Sequence, residues 1–167
     1  MVLGFCMLWI ACIFVINTAA AFGKVDSKEL GPWNLFIGCL ILFVVVVGVI
    51  TDMFAPMTFW WAAQVLLFAV TYIMLGITYL RGSDGTGVGW YCLFVAVTVI
   101  VPAYQTFAAG DMRLGVIWVA WGLLWLLFFF MMAMGKGAWG KWVRWYQLLV
   151  LIFTLFIPGL MMLTGTW

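Results

Sequence analysis

The side chains able to do chemistry are few, and their spacing singles out three faces. Trp118, Trp121 and Trp125 stand at i, i+3 and i+7 and share one helix face, with Phe128 and Met132 continuing the stripe. Each indole N–H needs an acceptor that hydrocarbon does not supply. Three such rings read either as an aromatic slot lining a narrow path for a flat, hydrogen-bonding solute or as core packing. Gln64, Phe68 and Tyr72 recur at i, i+4 and i+8, giving a face with two hydrogen-bonding groups and a ring. Asn17 is the one amide in its apolar run and shares a face with Leu3, Met7, Ile10 and Phe14. It reads either as a bridge between helices or as a donor and acceptor for an amide-like solute. Gln105 and Gln147 lie nearer the ends of their runs and read as structural.

The missing groups narrow the chemistry further. The chain has no histidine, which removes haem-type ligation, most zinc chemistry, imidazole acid–base catalysis and imidazole pH sensing. Asp26, Glu29, Asp52, Asp84 and Asp111 all fall in connections or at run ends. Proton-coupled carriers place ionisable groups near the bilayer centre, so this pattern points to passive movement of something uncharged. Cys6, Cys12, Cys39 and Cys92 sit in apolar runs without a C-x-x-C and read as small buried hydrophobes. The stretch Arg81–Gly87 is glycine-rich, but it lacks the G-x-x-x-x-G-K-[ST] pattern and follows a helix, so it reads as a turn rather than a phosphate cradle. No enzyme, metal or cofactor is expected. The net charge of +2 does not suggest nucleic acid as a partner.

The elements that position these faces are membrane helices. Hydrophobic residues make up 69% of the 167 residues and charged residues 7%, against roughly a quarter charged in soluble domains. Six apolar runs, 3–22, 33–54, 57–80, 88–108, 114–135 and 144–165, are each long enough to cross a bilayer. They lack period-2 alternation and read as helices. The expected fold is an all-α polytopic membrane protein, one domain over residues 1–167. Ala19–Ala21 resembles a signal-peptide cleavage region, but no Lys or Arg precedes the first run, so that run is read as a membrane helix. Six of the seven basic residues (Lys24, Lys28, Arg81, Lys136, Lys141 and Arg144) fall in the connections after runs one, three and five, or beside them; only Arg113 falls on the other side. The positive-inside rule puts those connections in the cytoplasm and both termini outside. Related strings at Trp33, Trp90 and Trp145 open every second run, and Pro102 and Pro158 follow the later two. They suggest three repeated two-helix hairpins (runs one–two, three–four and five–six) about an axis along the membrane normal, with a central pore.

Three strings together resemble the AmiS/UreI family of urea and short-chain amide channels. They are Ile16-Asn17 with Gly23–Lys28, then Leu67–Tyr72 with Trp90–Ala96, and finally Ile117–Trp125. The resemblance implies a six-helix bundle with a pore inside each protomer and a homohexameric ring around membrane lipid. It implies an inner-membrane channel for urea or a small neutral amide, sometimes serving a cytoplasmic urease or amidase. The family's pore-lining positions match Ile10, Phe14, Asn17, Phe68, Tyr72, Trp118, Trp121, Leu124 and Trp125. Two departures stand out. The best-known member carries a buried glutamate in its last helix where this chain has Val150, with Gln147 about one turn earlier. That member is also opened by acid through long outer loops, whereas the outer connections here are short and no histidine exists. The expectation is therefore a channel that is not acid-gated, with urea and other short amides left as equal candidates. The alternative is a scaffolding membrane subunit in which the tryptophan stripe fills space.

Overall fold

A computed structural model describes residues 2–167. They form helices throughout, with no strand among them. Six spans are long and apolar enough to cross a bilayer. The first three are α1 (Val2–Ala21), α2 (Ser27–Ile50) and α3 (Thr58–Arg81). The fourth is divided into α4 (Thr86–Thr98) and α5 (Ile100–Ala108), and the fifth is α6 (Met112–Met132). The sixth, Gly137–Thr164, holds a short 3₁₀ turn at Gly137–Trp139, α7 (Gly140–Val150), a π-helical segment (Leu151–Phe156) and α8 (Ile157–Thr164). The chain is a multi-pass membrane protein. Large apolar side chains such as Phe43, Phe59, Phe94 and Phe153 are exposed on its helices, as a hydrocarbon solvent requires.

Two starts lie well before the expected runs, for polar reasons, while α2 ends at Ile50 and α6 at Met132, a few residues before their expected ends. The second span starts at Ser27, before the apolar run, because Lys28 and Glu29 occupy its first turn. Pro32 lies inside α2, in its second turn, where its missing N–H leaves the Lys28 carbonyl without that intrahelical bond. The sixth span likewise begins at Gly137, within the basic connection.

Two prolines divide the fourth and sixth spans. Pro102 has no N–H for the Thr98 carbonyl, and its ring crowds that oxygen, so α4 ends at Thr98 and α5 resumes at Ile100. Pro158 stands in the same relation to Thr154. There the ladder widens instead of breaking: Ile157 N–H donates to the Ile152 carbonyl, five residues back.

The chain forms two compact units, residues 27–83 and residues 1–26 with 84–167. In the first, α2 packs along α3 at small residues. A Cβ added at Gly38 would lie 2.7 Å from the Ile73 backbone nitrogen, and one at Gly76 would lie 2.7 Å from that of Leu35. Glycine at these two positions lets the backbones approach, as small residues do between membrane helices.

In the second unit, α4 and α5 pack on α6, while α1 packs on α7, the π segment and α8. Close approach at Gly4 and Gly159 sets the α1–α8 contact. Asp111 caps α6 by accepting the Leu114 N–H at 3.0 Å. Within the two units, the closest partners are spans two and three, four and five, and six and one. Small residues decide this, because the glycines that permit backbone contact lie on those pairs of faces.

Candidate functional site

The most heavily buried aromatic face belongs to α6. Trp118, Trp121, Leu124 and Trp125 are all buried, along with Ile117 and Phe129. Trp118 and Trp121 meet edge to face, with ring centroids 5.1 Å apart and planes at 82°, the arrangement favoured by ring quadrupoles. The buried stripe continues through Phe129 rather than Phe128, which is only half-buried, as is Met132. Helical arithmetic explains this: at 3.6 residues per turn the residue eleven positions after Trp118 returns to its face, and the one ten positions after does not.

Trp121 resolves the polar problem that a buried indole poses. Its Nε1–H donates to Thr154 Oγ1 at 2.9 Å, and Thr154 donates in turn to the Val150 carbonyl at 2.6 Å. Both side chains are buried. The donor is therefore held inside the protein, so Trp121 presents its ring rather than its N–H. Thr154 lies in the π segment, which Pro158 creates. A second tie joins α6 to the same span, at α7: Tyr146 Oη donates to the Ala120 carbonyl at 3.0 Å.

Thr154 is the residue that sequence reasoning missed. A threonine in an apolar run ordinarily back-bonds to the carbonyl four residues earlier and attracts no notice. The available signal was its place four residues before Pro158, where a helix must yield. Gln147, Val150 and Thr154 are all buried, at i, i+3 and i+7 along α7 and the π segment. Gln147 is thus well inside the protein rather than at a helix end, because the sixth span starts at Gly137.

The other residues fall in both units. On α1, Ile10 and Phe14 are buried and Asn17 is half-buried. On α3 of the other unit, Phe68 and Tyr72 are buried, and Gln64 Nε2 donates to its own helix at the Trp60 carbonyl. The α2–α3 pair also buries Asn34 completely; its Nδ2 donates to the Leu30 carbonyl at 2.8 Å.

Charge is confined to the ends of the spans. Arg113 lies over the Trp167 ring at 4.4 Å, and Arg144 lies over Phe22 at 4.9 Å. In the connection before α4, the Thr86 backbone N–H donates to Asp84 and holds that carboxyl below its ordinary range. Among the described residues, no cluster of three or more His, Cys, Asp or Glu could hold a metal ion. The buried faces offer rings, hydroxyls and amides.

Comparison with known proteins agrees with this inventory. A putative transporter protein AmiS2 from Rhodococcus erythropolis is 31% identical over 165 residues, covering 96% of this chain and 79% of the relative. A putative amidate substrates transporter protein from Mycolicibacterium smegmatis is 26% identical, covering 98% of this chain and 78% of the relative. The crystal structure of the Helicobacter pylori urea channel superposes with a TM-score of 0.87 at 28% identity, covering 99% of both chains. Its closed-state cryo-EM structure gives 0.88 at the same identity and coverage. Residues 2–166 match the model of the AmiS/UreI family transporters, and the chain belongs to that family.

Proposed function

We propose that the protein is a passive channel for urea or a short-chain amide. The observation that carries this reading is the buried face of Trp118, Trp121 and Trp125, with the Trp121 donor fixed on Thr154. Fixing that donor orients a flat, uncharged ring without leaving a polar group to trap the solute. A planar amide sheds part of its water and gains contact with the rings of Trp118, Trp121 and Trp125, flanked by Ile10, Phe14 and Leu124. Asn17 supplies exchangeable hydrogen bonds. Ions are rejected because no charge or carbonyl cage replaces their hydration shell.

The same reading places the chain in the inner membrane as one membrane domain, with both termini outside on the distribution of Lys and Arg. It assembles as a homohexamer around lipid and supplies a cytoplasmic urease or amidase. With no histidine, the channel is not gated by acid. Val150 at the glutamate position of the best-known member leaves solute hydrogen bonding to neutral groups.

Trp121→Ala tests the mechanism. In proteoliposomes it should change urea flux while the assembly stays intact; unchanged flux from an intact assembly removes Trp121 from the path. A scaffolding subunit is the second reading, favoured by the internal satisfaction of the Trp121 N–H, which packing alone would also require. It predicts no flux above empty liposomes.

A further inference from the structure

Among the described residues, the buried side-chain atoms without a hydrogen-bond partner are Thr18 Oγ1, Trp61 Nε1 and Arg144 Nε, and Thr18 lies at the depth of another buried polar side chain, Gln147. Thr18 is 4% exposed, and its hydroxyl has no hydrogen-bond partner. Other threonines in or beside the helices behave differently: Thr71, Thr98, Thr106 and Thr154 each donate to the carbonyl four residues earlier. Thr18 has the same local option and does not take it. Gln147 is 5% exposed, and among the described residues no hydrogen bond ties its amide. Buried polar groups in native proteins are nearly always satisfied, and leaving one unsatisfied is costly, so an open pair calls for a partner that comes and goes.

The two groups lie at one depth. α1 packs on α7, with Phe22 against Trp145 at one end and Gly159 against Leu8 at the other. Counting four residues from the Phe22–Trp145 contact puts Thr18 level with residue 149, about 3 Å of helix rise from Gln147. Asn17 is the next residue of α1. Gln147 is also seven residues before Thr154, about 10 Å of rise on the cytoplasmic side of the Trp121 anchor.

We propose that Thr18 and Gln147 form a hydrogen-bonding station for the solute, one stop beyond the tryptophan face. This deepens the channel reading and rests on it. Gln147 offers a carbonyl oxygen and an NH₂ group, and Thr18 offers a hydroxyl that both donates and accepts. Together they match a ligand that carries N–H donors and a carbonyl acceptor on a small plane: urea or a primary amide. Glycerol, with hydroxyls on a bent chain, matches less well. The station does for a neutral amide what a carboxylate would do elsewhere, without introducing a charge.

The test uses the full-length protein with Gln147→Leu and Thr18→Val, which keep size and remove hydrogen bonding. Thr18→Ser and Gln147→Asn keep the chemistry and serve as variants that fold if the first pair does not. Flux of urea, acetamide and water is measured in proteoliposomes. Each apolar variant should lower urea and acetamide flux about fivefold, the effect of one hydrogen bond, with water flux unchanged. Thr18→Ser should restore amide flux. An amide-to-water flux ratio equal to wild type in the apolar variants, whatever the absolute flux, overturns the station. A second readout separates the station from the channel reading. The side-chain ¹⁵N signal of Gln147, assigned by its loss in Gln147→Leu, is followed by solid-state NMR on adding urea or glycerol. A shift with urea and not glycerol supports the station even if no flux is seen; no shift with urea overturns it.

Discussion

Replacing Thr154 by valine isolates the contact that orients the candidate site. The two side chains are nearly isosteric, so no cavity opens; the acceptor for the Trp121 indole is lost, along with the bond to the Val150 carbonyl, whose loss is common to both arms of the double-mutant cycle. Trp121 is 3% exposed and Thr154 is 8% exposed, so water does not replace the missing oxygen. An orphaned buried donor costs about 1–3 kcal/mol in soluble proteins. Paired side chains inside membrane proteins couple more weakly, by about 0.6 kcal/mol on average and about 1.7 at most. A double-mutant cycle with Trp121→Phe, which keeps a ring but deletes the donor, should therefore give a coupling of about 0.5–1.5 kcal/mol. The assay is reversible unfolding in mixed micelles, with urea flux of the folded variants measured alongside. Thr154→Val should destabilise the wild-type background and be nearly neutral beside Trp121→Phe. Equal costs in the two backgrounds, within about 0.3 kcal/mol, would refute the claim that Thr154 anchors the indole.

The packing and the pH behaviour give further tests. Gly76→Ala drives a methyl into the Leu35 backbone of α2 and should destabilise the α2–α3 pair by about 1–3 kcal/mol, whereas Gly87→Ala meets nothing within 4 Å and should be neutral or stabilising by up to about 1 kcal/mol; thermal unfolding of both compares them. Pro158→Ala returns an N–H to the turn carrying the Thr154 carbonyl and should close the π segment, so the coupling between Thr154 and Trp121 should disappear from the cycle repeated in that background. Asp84 has a folded-state pKa below its ordinary 3.8, so its contribution to the start of α4 is present above that ordinary value and lost as pH falls through the lower folded one. Acid unfolding should show this small loss in wild type and not in Asp84→Asn.

The spans were legible because each apolar run greatly exceeds what a soluble core helix needs, and lipid leaves the backbone few alternatives. The breaks were harder to read. Pro102 and Pro158 were visible as marks of a repeat, but which of the two would break its helix and which would widen it depends on the packing around them. The packing partners within each unit were hard to read for a similar reason: interfacial tryptophans such as Trp33 and Trp90 recur at helix starts, while partners are chosen by glycines such as Gly38 and Gly76, whose contacts a sequence does not display. On the candidate site, the burial of Trp118, Trp121 and Trp125 followed from spacing alone. Thr154 and Gln147 did not, because a lone threonine or glutamine in an apolar run is normally satisfied by its own helix or its neighbour.

The central claim is passive movement of a small neutral amide, and stopped-flow osmotic measurements on proteoliposomes test it most directly. Urea, acetamide and glycerol are presented in turn at about pH 5 and about pH 7.5, the window in which a histidine would titrate. The account predicts fast urea or acetamide entry at both pH values and slow glycerol entry. Entry no faster than in empty liposomes, from protein shown to be folded, would contradict the channel reading, and flux that changes severalfold with pH would contradict its constitutive opening.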